Sequence, residues 1–73
     1  MKINNWYKPF PQLKYYWKNR ITNDEISIRR VNNLYVGYVK VYKEMFKTHI
    51  ISKRPQSLIN VNADIMLYMR THQ

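Results

Sequence analysis

The chain has no cysteine and a single glycine among its 73 residues. Without cysteine, no disulfide can staple so small a domain, and no thiolate can hold a metal or attack a substrate. With one glycine, the glycine-rich loops that cradle phosphates in nucleotide enzymes are excluded, since Gly37 stands alone among strand-forming residues. Turns must then rest on Asn, Asp and three prolines, which tolerate or preset the necessary dihedrals. Acidic residues are nearly as scarce: Asp24, Glu25, Glu44 and Asp64 are the complete set. Asp24 and Glu25 adjoin in a turn, and no spacing brings two carboxylates to face one space, as acid–base catalysis requires. His49 and His72 have no neighbouring ligands at metal spacing. A non-enzymatic protein without cofactor or metal is therefore expected. There is also no apolar run of about 18 residues and no apolar core to the N-terminal segment, so the chain reads as cytoplasmic, without membrane contact.

What is present is positive charge mixed with rings. Thirteen Lys and Arg leave a net charge of +9, and seven Tyr, two Trp and two Phe are interleaved with them. Such charge attracts a polyanion, while rings offer surfaces on which bases or apolar partners stack. The cations run from Lys2 to Arg70 without forming a tail. Ile, Lys, Asn and Tyr are abundant and Ala is scarce, a bias that follows AT-rich coding DNA and suits some bacteria and many phages.

The pattern along the chain is that of an α+β protein. Residues 1–10 read as an irregular aromatic arm, because Pro9 and Pro11 force extended conformations before them. A single basic domain follows over 11–73. Leu13, Tyr16, Trp17 and Ile21 recur at helical spacing and predict a short helix over about 11–19, with an aromatic strand over Leu13–Lys18 as the competing reading. Ile26 to Arg29 alternates as a strand, Asn32-Asn33 suits a tight hairpin turn, and Leu34 to Tyr42 is the clearest strand. In it Tyr35, Gly37, Val39 and Val41 form the expected core face, opposite Tyr38, Lys40 and Tyr42. A turn at Lys43-Glu44-Met45 leads to a third strand over 46–51, although a helix over 42–48 competes because that turn lacks Gly and Asn. Leu58, Val61, Asn62, Ile65 and Met69 then define an amphipathic helix over about 56–70. The sum is a three-stranded antiparallel sheet packed by a C-terminal helix, with its other face free.

Two places let charge and geometry cooperate. Lys53 and Arg54 fall at the expected helix entry, where backbone N–H groups and the helix dipole would favour the same anion. Tyr38, Lys40 and Tyr42 share the open sheet face, and Lys47 and Arg29 complete the candidate nucleic-acid-binding set. Arg29 and Arg30 point to opposite faces, so only one can join a given patch. Trp6, Tyr7 and Phe10 are expected to tuck under the sheet, with Met45, Met66 and Met69 as core filler.

The order helix, three strands, helix, with Ser52-Lys53-Arg54 before the last helix, resembles double-stranded-RNA-binding domains over roughly residues 11–70. That resemblance implies a basic run gripping phosphates across a groove. The sequence departs from the family where Pro55 interrupts the run and Leu58-Ile59-Asn60-Val61-Asn62 replaces a small, Ala-rich helix start. Three strands followed by one helix are also similar to small sheet-reading DNA-binding domains of phage integrases and plant transcription factors. Both are analogies of topology. The expected function is a small nucleic-acid-binding protein, for RNA more than DNA. The alternative is a protein–protein inhibitor or adaptor, phage-encoded on its composition, that docks its basic face on an acidic or nucleic-acid-binding surface of a host protein.

Overall fold

The computed structural model describes residues 5–52 and 54–73. Five strands follow one another as an antiparallel meander: β1 (Trp6–Tyr7), β2 (Tyr16–Asn19), β3 (Glu25–Val31), β4 (Leu34–Val41) and β5 (Lys47–Ile50). One α-helix, α1 (Leu58–Thr71), closes the chain. The architecture remains α+β, but the expected three-stranded sheet and N-terminal helix are both overturned. Residues 11–15 form turns, and Tyr16–Asn19 pairs with β3, placing Tyr16 beside Ser27 and Trp17 beside Ile26. Trp6 and Tyr7, expected in an irregular arm, add a fifth, edge strand against Lys18 and Asn19. The likeness in element order to double-stranded-RNA-binding domains falls with the N-terminal helix, and the three-strand analogy falls with the five-stranded sheet.

The β3–β4 hairpin forms as its residues dictate. Asn32 takes φ 57, a left-handed conformation that asparagine tolerates, and Val31 pairs with Leu34 across the two-residue turn. Alternation along β4 then sends Tyr35, Gly37, Val39 and Val41 toward the helix. There Val61, Ile65 and Met69 of α1 pack with Ile26, Val39, Val41 and Trp6. Gly37 makes the close approach possible: a Cβ there would lie 3.1 Å from Ile65 Cδ1 and 3.4 Å from Val61 Cγ1.

Polar groups close the ends of this layer. Ser57 caps α1 by accepting from Asn60 N at 3.4 Å. Buried Ser52 accepts the Gly37 N–H at 3.0 Å, taking over where the ladder beyond β5 stops. Buried Asn19 accepts from Ile21 and Thr22 N–H through Oδ1 and donates to the His72 carbonyl. Trp6 Nε1 donates to that carbonyl too, at 3.0 Å, so the N-terminal strand is tied to the helix C-terminus. Of the three N-terminal rings, Trp6 alone is core; Tyr7 and Phe10 are exposed. Met69 is buried, whereas Met66 and Met45 are not, which corrects their reading as core filler. Among the described residues no helix is long and apolar enough to cross a membrane.

Candidate nucleic-acid interface

A strand's side chains alternate between faces, so the register of the ladders determines what the uncovered side of the sheet displays. One line across it reads Tyr7, Lys18, Glu25, Lys40 and Thr48, from β1 to β5. The next reads Tyr16, Ser27, Tyr38 and Ile50, and beyond it Arg29 lies beside Val36. Rings and cations are paired on this face. The Arg29 guanidinium sits 5.5 Å from the Tyr38 ring centre, and Arg20 sits 5.2 Å from that of Tyr7. Phe10 extends the ring surface beside Tyr16, with centres 6.0 Å apart.

One carboxylate stands among these cations. Glu25 lies between Lys18 and Lys40 across the strands and accepts a 2.7 Å hydrogen bond from the Tyr16 hydroxyl. Burial, and then that hydrogen bond, push the Tyr16 phenol up to about 12, so Tyr16 remains a neutral donor at physiological pH. The other three carboxylates lie elsewhere. Asp24 and Glu44 border a groove of about 740 Å³ on the helix side, and Asp64 borders a neighbouring one of about 520 Å³. Positive charge is thus left less opposed on the open face than along the helix-side grooves.

The expected site residues separate accordingly. Tyr38, Lys40 and Arg29 come together on the open face. Tyr42 does not join them, because β4 ends at Val41 and Tyr42 opens a 3₁₀ turn over Tyr42–Glu44. Its ring meets that of Phe46 edge-on, with centres 5.1 Å apart. Lys47 pairs with Val41 and so lies on the helix-side face of edge strand β5. Arg54 borders the smaller groove beside Asp64 and Tyr68, and two residues, Pro55 and Gln56, separate it from the Ser57 cap. It therefore lies outside the first helical turn, and the dipole support expected for it is absent. Lys53 lies outside the described residues.

Sequence reasoning missed Tyr7, Tyr16, Lys18 and Arg20 as members of the open face. The alternation of Tyr16 and Lys18 against Trp17 and Asn19 was the available signal, masked by the helical spacing of Leu13, Tyr16 and Trp17. His49 Nε2 lies 2.7 Å from Glu44 Oε1, and this contact holds the Glu44 carboxyl below its usual range. It is a two-residue pair; among the described residues no three His, Cys, Asp or Glu side chains gather as metal ligands would. Neither a family model, a curated protein nor a solved structure matches the chain.

Proposed function

We propose that this chain is a small, non-enzymatic nucleic-acid-binding protein, with RNA the preferred polymer, and that the open sheet face is its contact surface. The observation that carries this reading is the convergence of Lys18, Arg29 and Lys40 with Tyr7, Tyr16 and Tyr38 on one uncovered face of a chain with net charge +9. Cations at such positions neutralise phosphates and release counterions, giving an attraction that weakens with salt. Rings held between them give exposed bases a surface for stacking, and unpaired bases are common in the loops of RNA. Glu25 has a place in this scheme as a brake: it lowers the potential between two lysines and so restrains the affinity of the face.

Electrophoretic mobility shift of single-stranded and duplex RNA and DNA across a salt series tests the proposal. Binding that weakens steeply with salt and is strongest for RNA is expected. No binding to any nucleic acid at low salt would refute it.

The alternative, an adaptor or inhibitor of a host protein, is favoured by a different surface. On α1, Ile59 is 81 % exposed and Leu67 60 % exposed, with Met66 also open to solvent. Copurification of one host protein in equal amount after nuclease treatment would support that reading over the first.

A further inference from the structure

The turn joining β4 to β5 carries an apolar tip that the open face does not account for. Met45 is 92 % exposed, and Tyr42 and Phe46 beside it are also open to solvent. Met45 at φ 61, ψ 39 and Phe46 at φ 61 are two successive left-handed residues, neither of them glycine or asparagine. Bulky side chains rarely adopt that conformation, which disfavours them in a turn chosen only to reverse the chain. The turn is nevertheless tied at every side. Met45 N–H donates to the Tyr42 carbonyl and Phe46 N–H to the Val41 carbonyl, both at 3.0 Å. Tyr42 N–H donates to Asp24 Oδ1 at 2.9 Å, and the Glu44–His49 contact braces the returning strand. The sequence thus holds a methionine and two rings out in water on a braced hairpin.

Charge around the tip selects its partner. Lys40, Lys43 and Lys47 lie within two residues of the three apolar side chains in the chain, Lys40 on the open face and Lys47 on the helix side, while Glu44 is engaged with His49 and Asp24 with the Tyr42 N–H. The tip follows directly on β4, whose Tyr38 and Lys40 stand on the open face, whereas Tyr42 leaves that face in the 3₁₀ turn. From these observations we infer that Tyr42, Met45 and Phe46 form a wedge that stacks against unpaired bases of a single-stranded nucleic acid whose phosphates run past Lys40, Lys43 and Lys47. The inference rests on the nucleic-acid reading above and adds where, and in what state, the bases are met. Aromatic and apolar side chains at the edge of a basic surface contact bases in this way because every base has a ring face, whatever its sequence. An anionic membrane shares the charge but calls for a longer apolar face than three side chains on a turn.

The double substitution Met45→Asn, Phe46→Gly tests the wedge, because both new residues accept positive φ and no charge is altered. The full-length protein and this variant are compared on a single-stranded RNA carrying 2-aminopurine, on the matching duplex, and on phosphatidylcholine vesicles containing phosphatidylserine. The variant is expected to lose about tenfold in affinity for the single strand, with less than about a twofold change on the duplex and an unchanged salt slope. The unsubstituted protein is expected to quench 2-aminopurine on binding, a readout independent of whether the variant folds. Unquenched 2-aminopurine, or equal single-strand affinity of the two proteins, overturns the wedge and leaves the nucleic-acid reading standing. Binding to vesicles that depends on the tip, with no binding to nucleic acid, overturns both.

Discussion

The two faces of one sheet, built from alternate residues of the same strands, are made of different chemistry. On the covered face, Ile26, Val39, Val61, Ile65 and Met69 are almost wholly excluded from water, and a Cβ at Gly37 would press on Ile65 more tightly than ordinary contact. On the open face, one residue away along each strand, stand Glu25, Arg29, Tyr38 and Lys40. The covered face bears the stability of a small domain with no disulfide, and substitutions there are felt in folding. The open face contributes less to folding, which leaves its composition available to a partner. Neighbouring positions on β3 and β4 should therefore give opposite phenotypes.

Truncation at the centre of the covered face is the severest way to test that separation. Ile65→Ala should cost about 2–5 kcal/mol, a large part of the stability of a domain this size, seen as a lowered urea midpoint. Next comes Ser52→Ala, which strands the buried Gly37 N–H and should cost about 1–3 kcal/mol by the same measurement. On the open face, Lys40→Ala should move stability by less than about 0.5 kcal/mol yet weaken nucleic-acid binding and reduce its salt slope by about 1. Should Lys40→Ala unfold the protein, the two faces would not be separable as described. Glu25→Gln should change binding in the opposite direction, raising affinity by about threefold, as expected when one like charge near a phosphate is removed in water.

The smallest expected effect is spectroscopic. Tyr16 titrates at about 12, above the ordinary phenol value of 10.0, so the folded state holds its proton where the unfolded state has lost it. Its contribution to stability is complete below pH 10 and disappears as pH rises through about 12. Burial raises the Tyr68 phenol as well, so alkaline absorbance titration should show late phenolates of which Tyr16→Phe removes one. If the substitution removes a phenolate that forms near pH 10 instead, the Tyr16–Glu25 contact on the open face is not maintained in solution.

The parts of this fold that are legible in the sequence are those specified by neighbours in the chain. The stripe Val61, Ile65 and Met69 defines α1, and Asn32 defines the β3–β4 turn, because each is a local pattern with a local cause. The N-terminal third is different. Leu13, Tyr16, Trp17 and Ile21 mimic a helix by spacing, yet Tyr16 and Trp17 take opposite faces of β2 and Ile21 is exposed. Pairing with β3, and Asn19 and Trp6 bound to the far end of α1, override that local preference. The same limit governs the site. Tyr38, Lys40 and Arg29 follow from alternation within a strand, whereas Tyr42 leaves the face because β4 ends at Val41 in a 3₁₀ turn whose left-handed exit, Met45 and Phe46, their side chains do not announce. Lys18 and Tyr7 join the face only once β1 and β2 exist, so an error in the fold became an omission in the site.

The central claim is that a particular face, and not bulk charge, meets the polyanion. Two double variants with the same loss of charge test it most directly: Arg29→Gln, Lys40→Gln on the open face, and Arg54→Gln, Arg70→Gln on the helix side. Affinity for a single-stranded RNA is measured for both across a salt series. The account predicts that the open-face pair lowers the salt slope by about 2 and that the helix-side pair leaves it nearly unchanged. Equal losses from both pairs would mean that the attraction is a diffuse field of the whole chain, and would contradict the assignment of the open face as the site.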